Sequence, residues 1–362
     1  MASLYIKYRS NDTGVRPIPP GAAYWESPSM WLTGGWDLST ARPGVPNRIH
    51  VRVDNNSDAD ISGVMVQIWV SKPVAPIAPV HSMPFPPAPD PNRSHAVLPV
   101  GVVRAHGWAV ASVDWTPDES SFINPADRNS AHMCLGANCY TYGCPGAPEG
   151  RVITSATTDF TVVSDPHCGQ RNINLRRFPP GGRCCFPFGV ANPAPAEATF
   201  TVTVEELRGD DGLGLVGLAQ ILSGWGATIT GMDAVEIQRL RDQELCRRLG
   251  EPLELALVRA GGVPVLVDAV STHTVAAAKN PVRDLVLFGD NVLCGGGGRE
   301  VRVRVKPGVV APLGLAFDFP DDTRVGGVHT LQMSVRDEKG ALFGGIRFLA
   351  LAANPQLLSP CA

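Results

Sequence analysis

Residues 48–55, Arg-Ile-His-Val-Arg-Val-Asp-Asn, and residues 63–70, Gly-Val-Met-Val-Gln-Ile-Trp-Val, decide how this chain folds. Ile49, Val51 and Val53 recur at every second position of the first stretch, and Val64, Val66, Ile68 and Val70 at every second position of the other. Successive side chains of an extended strand point to opposite faces, so a period of two marks a strand with one buried face. Between the two lies Asn55-Asn-Ser-Asp-Ala-Asp60, whose short polar side chains bond to nearby backbone and favour a turn. The pair reads as an antiparallel hairpin, with Trp69 as a core anchor.

The totals agree with a β protein. At 362 residues the chain exceeds what one core usually serves, so two domains are expected. Gly 38 and Pro 33 are spread along the chain, which suits many short strands broken by turns. Charged residues at 18% and apolar residues at 44% argue against disorder. The net charge of −3, without a basic block, gives no footprint for nucleic acid. There is no apolar leader after Met1 and no run of about 18–20 apolar residues for a membrane helix. The expectation is a cytoplasmic protein, or one exported by a route without a standard signal, and no membrane insertion.

Residues 1–26 read as a Pro-rich N-terminal arm with a short strand at Leu4–Tyr8, and the closely following Trp25, Trp31 and Trp36 imply that the arm docks. Ser27 to Leu32 is the first strand. The eight prolines between residues 72 and 94 exclude a sheet interior and mark a long surface loop. Strands resume over 96–103 and 107–114, then over 132–140 and 159–163. Short strands without helical periodicity point to an antiparallel sandwich.

Several motifs in this half carry a family resemblance. They are Ser27-Pro28 with Trp31, the strand Asn47 to Asn55, Val66 to Trp69, Trp115-Thr-Pro117, His132 to Ala137, and Gln170-Arg-Asn-Ile173. Together they resemble an immunoglobulin-like module of the CARDB type, over about residues 27–175. That family recurs in uncharacterised bacterial proteins and carries no single activity. The resemblance therefore implies architecture and not chemistry. Ser29 stands where the family usually has Asp.

Pro179-Pro-Gly-Gly182 and Cys184-Cys185 read as part of a linker over 178–190. Alternation returns over 198–205, 300–306, 330–335 and 346–351, with a turn at Asp337-Glu-Lys-Gly340. This reads as a second immunoglobulin-like sandwich over 191–362, interrupted by a helical insertion at about 208–290. Asp233 and Glu236 would cap its main helix, which Gly250 and Pro252 end.

Chemistry is sparse. Gly212-Leu-Gly-Leu-Val-Gly217 matches a dinucleotide fingerprint by letter but lacks the strand and helix that such a site needs. Gly295-Gly-Gly-Gly298 has no following Lys-Ser or Lys-Thr, and neither GxSxG nor HExxH occurs. Six of the nine cysteines lie between 134 and 185. Strand pairing of 132–140 with 159–168 would gather His132, Cys134, His167 and Cys168. Three readings stand there: packed thiols first, a disulfide second, a zinc site third.

The expected fold is mainly β, with two immunoglobulin-like antiparallel β-sandwich domains and a helical insertion in the second. The expected function is a non-enzymatic structural or interaction subunit of a homo-oligomer or larger particle, without a cofactor. Leu4, Tyr5 and Ile6 of the arm and Met83 and Phe85 of the loop are its expected contact residues. An adhesion or carbohydrate-binding module is the alternative, and an enzyme with its site in the insertion the third reading.

Overall fold

The structure, a computed structural model, describes residues 3–9, 11–33, 41, 44, 46–71, 74–75, 95–117, 134–142, 149–153, 160–178, 181–207, 281–289, 292–294, 298–323 and 328–352. Among these residues there is no helix, and eighteen strands form four sheets.

Two of the sheets enclose the first core. Sheet I holds β1 (Leu4–Tyr5), β2 (Met30–Thr33), β3 (Asn47–Asn55) and β7 (Trp108–Trp115), with β3 at its centre. Sheet II runs β6-β4-β8-β9, from β4 (Ile61–Ser71), β6 (His95–Val103), β8 (Cys134–Thr141) and β9 (Cys168–Arg171). The alternation of β3 and β4 is real, but the hairpin is not. β3 pairs β1, β2 and β7, whereas β4 pairs β6 and β8. The polar stretch between them is a corner that carries the chain from one sheet to the other. Val51 and Val66 therefore share a core across the sandwich instead of sitting side by side. Trp69 has the opposite parity to Ile68 and Val70, so it leaves that core. It is buried on the outer face of sheet II against Tyr24, Trp25, Ile153 and Val162.

The second core, rich in phenylalanine, lies between sheets III and IV. Sheet III runs β13-β16-β11-β5, from β5 (Val74–Ala75), β11 (Arg183–Ala191), β13 (Arg283–Phe288) and β16 (Val310–Asp318). Sheet IV runs β10-β18-β17-β12-β15-β14. Its strands are β10 (Ile173–Phe178), β12 (Ala198–Leu207), β14 (Val292–Cys294), β15 (Glu300–Val305), β17 (Val328–Arg336) and β18 (Leu342–Ala352).

Several expectations change. The stretch read as a linker, 178–190, contains most of β11, whose Phe186, Phe188 and Val190 are core residues. Pro187 lies in that strand opposite Gly314, and such prolines disguised the alternation. The end of the expected helical insertion, 283–288, is the strand β13; residues 208–280 lie outside the described residues. Residues 160–163 are not a strand, and β9 takes that place in sheet II. The sheets are not purely antiparallel either, because β10 runs parallel to β18 and β5 parallel to β11.

The two sandwiches are built on one plan. The series β3, β4, β6, β7, β8, β9 corresponds in order and pairing to β11, β12, β15, β16, β17, β18. The corner is repeated to the atom. Asn55 Nδ2 donates to the carbonyls of Ala59 (2.8 Å) and Val103 (3.1 Å), while its Oδ1 accepts the Ser57 amide. Asn192 Nδ2 donates to Ala196 and Val305, both at 2.8 Å, and its Oδ1 accepts the Ala194 amide. Each asparagine thus satisfies buried backbone groups at the place where the chain changes sheet.

Candidate functional site

The cysteine and histidine region does not assemble as expected. β8 and β9 are neighbours, but their register sets Asn138 opposite Cys168 and Leu135 opposite Arg171. Cys134 is four positions along β8 from the residue facing Cys168, roughly 13 Å at the rise of a strand. That exceeds the ~7 Å limit between the Cα atoms of a disulfide and the reach of one shared ion. Cys134, Cys139, Cys168 and Cys184 are all buried. Burial raises the pKa of Cys134, Cys139 and Cys168, so each thiol holds its proton near neutrality. Among the described residues no group of His, Cys, Asp and Glu is placed to hold a metal ion. His132 lies outside the described residues.

His167 is engaged otherwise. Its Nδ1 is 2.7 Å from Asp165 Oδ1 and its Nε2 is 3.3 Å from Glu149 Oε2. Glu149 also accepts the Ser3 amide with both oxygens, at 3.2 and 3.1 Å. Burial alone would lower the His167 pKa, but the hydrogen bond and charge of Asp165, then those of Glu149, outweigh it and raise the value. Both carboxyl groups move down: burial opposes this, and the hydrogen bonds from His167 and its charge prevail. The cluster is a clasp that ties the start of the arm to the corner before β9.

That arm is not free to meet a partner. Leu4 and Ile6 are fully buried in the chain's own first core, and Tyr5 is buried beside them. β1 pairs with the end of β3, and the Ile6 amide donates to the Pro166 carbonyl. Gly169 leaves the room that Ile6 fills, since a Cβ there would lie 2.3 Å from Ile6 Cγ2. The reading of Leu4, Tyr5 and Ile6 as contact residues is therefore withdrawn; their apolar side chains close the sandwich that they belong to. Met83 and Phe85 lie outside the described residues.

Two polar constructions stand out instead. One is the junction between the sandwiches. Asn172, between β9 and β10, donates to the carbonyls of Val74 (3.0 Å) and Gly345 (2.9 Å), and its own carbonyl accepts the Arg347 amide. Its Oδ1 accepts the Cys134 thiol, and its amide donates to the Trp25 carbonyl. Arg347 Nε donates to Glu26 Oε1 at 2.6 Å, and both side chains are almost wholly buried. Burial pushes the Glu26 carboxyl up, against the charge and hydrogen bond of Arg347 and the more distant charge of Arg171. The fully buried Trp25 ring lies over Gly345, where a Cβ would come within 2.4 Å of it.

The other is the outer face of sheet I. Trp31 stacks on His50 with ring centres 5.1 Å apart. His50 Nδ1 and Nε2 are each 2.8 Å from a hydroxyl, Ser112 Oγ and Thr33 Oγ1 respectively. Burial, and then Arg48, lower the His50 pKa to about 4, so the ring is uncharged near neutrality. Arg48 pairs with Asp114, and Arg52 pairs with Asp54 while lying over the Trp108 ring at 4.8 Å. The alternation of β3 already placed Arg48, His50 and Arg52 on this face, and the cross-strand partners follow from register.

No family model and no curated protein matches the chain. Among solved structures it is similar to the collagen adhesin CNA from S. aureus at 7% identity, covering 93% of this chain and 97% of that one, with a TM-score of 0.21. It is similar to CfaE, the adhesive subunit of the CFA/I fimbria of enterotoxigenic Escherichia coli, at 7% identity, covering 98% and 93%, with a TM-score of 0.22. Similarity to red sea bream transglutaminase is at 10% identity and a TM-score of 0.18; there the chain spans 31% of the other protein's length. Scores this low carry no argument about fold or function. Among the described residues no helix is long and apolar enough to cross a membrane.

Proposed function

We propose that this chain is a non-enzymatic structural and protein-interaction subunit. It comprises two immunoglobulin-like units, the first of the CARDB type, and its copies assemble into a homo-oligomer or larger particle. The observation that carries this reading is the junction. Asn172 and the Glu26–Arg347 pair join segments before β2, after β4, between β9 and β10, and within β18. β5 and β10 each leave the first sandwich to pair in the second. An enzyme that closes two domains over a substrate needs a hinge there, whereas a spacer that presents surfaces at a set separation needs a joint of this kind. The unit boundary in this reading is Asn172 itself, with no linker.

The test is NMR relaxation of the whole chain together with amide exchange at Arg347. One rotational correlation time for both units, and an Arg347 amide as protected as the sheet ladders, are expected. Two units tumbling independently would sink the proposal.

The carbohydrate-binding reading draws support from the outer face of sheet I, where Trp31 and Trp108 flank ordered polar groups. Saturable quenching of tryptophan fluorescence by a glycan, lost in Trp31→Ala, would move the assignment there.

A further inference from the structure

We propose that two copies of this chain associate through the outer face of sheet III, stacked face to face about a two-fold axis along β16. The inference rests on the homo-oligomer reading above and names its contact.

The argument comes from the repeated plan. Sheets I and III are equivalent, so their outer faces can be compared position by position, counting back from the corner asparagines Asn55 and Asn192. Seven residues before them stand Arg48 and Cys185, five before them His50 and Pro187, and three before them Arg52 and Gly189. Register supplies the neighbours. Arg48 faces Asp114 where Cys185 faces Ala316, His50 faces Ser112 where Pro187 faces Gly314, and Arg52 faces Val110 where Gly189 faces Pro312. In sheet I these positions hold an ion pair, a hydrogen-bonded histidine and a second guanidinium. In sheet III none of them carries a charge, a hydroxyl or an amide in its side chain. The face that one unit keeps polar is apolar in the other.

β13 extends this apolar face. Val286 and Phe288 lie opposite Ala316 and Gly314, and the Phe288 ring rests on Gly314, where a Cβ would come within 2.2 Å of it. Phe288 is nonetheless 46% exposed, and Val310 at the start of β16 is 40% exposed. Cys185 and Pro312 are exposed as well. The opposite face of these strands is already committed, because Phe186, Phe188, Leu287 and Leu315 fill the second core. Large apolar side chains held in the open on one sheet face mark a surface that another surface covers.

The chemistry of the face selects its occupant. The charged residues of β11, β13 and β16 are Arg183, Arg283, Asp284 and Asp318, and register gathers them at one end. The rest offers no polar side chains for a sugar and no cations for a nucleic acid. It fits an uncharged sheet face, and a second copy supplies one. A two-fold axis along β16 exchanges the borders of the face. It sets Phe288 of each copy against the partner's Pro187, and Val286 over the partner's Cys185. Stacked sheets cross at about 30°, so the strand ends diverge and the charged ends stay in water. A face three strands wide is smaller than an obligate interface, so the association is reversible and depends on concentration.

The test is the solution mass of the full chain by sedimentation, alone and as Phe288→Lys, which places a charge at the centre of the contact. A dimer is expected, and the lysine variant should weaken it at least about tenfold, an effect of about 1.4 kcal/mol. A second measurement uses the unaltered chain and decides should that variant fail to fold. Alkylation of Cys185 by iodoacetamide, followed by peptide mass spectrometry, should slow as the chain is concentrated. An oligomer in which Cys185 reacts at the same rate at every concentration overturns this interface and leaves the homo-oligomer reading standing. So does an oligomer that a folded Phe288→Lys chain forms equally well. A monomer at every concentration overturns both, while the rigid-junction test above is unaffected.

Discussion

The first and second sandwiches follow the same strand plan, yet among the described residues only the second has strands flanking the β15 and β16 edges of that plan. The connection from β4 to β6 and the connection from β12 to β15 occupy equivalent places. The later one supplies β13 and β14, which cap the edges of its own unit. The earlier one supplies β5, which leaves its unit and pairs with β11 of the other. The difference teaches that equivalent connections in one plan can serve different ends: the described part of one ties the units together, and the other flanks its own unit.

The largest effect is expected where the two units meet. Glu26→Ala leaves the Arg347 guanidinium buried without its carboxylate, which should cost about 3–5 kcal/mol. Because β5 and β10 tie the units together, calorimetry should show the loss in one shared transition. A variant that lowers only one of two separate transitions would mean that the sandwiches fold independently. Replacing both partners by apolar residues of similar volume should recover much of the loss.

A smaller effect tests the repeat itself. Asn55→Ala and Asn192→Ala each strand one buried carbonyl, of Val103 or Val305, and one part-buried carbonyl, of Ala59 or Ala196, at equivalent corners. Each should cost about 1–3 kcal/mol, and by similar amounts. Urea unfolding followed by amide exchange in each core would measure the two. A large cost at one corner and none at the other would break the equivalence.

The sequence made the alternating strands plain, because one-sided burial forces a period of two: β3, β4, β12 and β15 were all visible in it. It concealed which strands pair. The corner at 55–60 and the turn at 337–340 are both short polar stretches. Yet Asp337 caps a tight hairpin by accepting the Lys339 and Ala341 amides, while Asn55 reaches across to Val103 and turns the chain between sheets. Composition cannot separate these, since the deciding partner is 48 residues away. Pro187, Gly189, Pro312 and Gly314 broke up the apolar pattern of β11 and β16, and with them hid the repeat. Trp69 was a different kind of error: its parity already set it on the face opposite Ile68. The candidate zinc site failed on register, which fixes whether two cysteines on adjacent strands face one another or lie four positions apart.

The smallest predicted effect belongs to the first sandwich and concerns pH. His167 binds its proton more tightly in the folded chain than at its ordinary value of 6.5, because Asp165 and Glu149 outweigh burial. Its contribution to stability is therefore full below that ordinary value and is lost as pH rises through the raised one. Asp165 and Glu149 are shifted down, so their contribution is present above the usual carboxylate range and is lost as pH falls through the lowered values. The groups facing the ring are these two carboxylates, with Arg151 acting on Asp165 and the uncharged thiols of Cys139 and Cys168 nearby. Together they make the first sandwich most stable between the two limits. The clasp also holds the Ser3 amide, so the strand at Leu4 should loosen outside that window before the sheets do. His167→Gln removes the alkaline limit and should cost about 1 kcal/mol near neutrality, the size of a partly exposed charged hydrogen bond. Protection of the Ile6 amide, corrected for intrinsic exchange and compared with the β3–β7 ladder, would report it across pH. An Ile6 protection that follows the ladder at every pH, in the native chain and in the glutamine variant alike, would reduce the clasp to a passive contact.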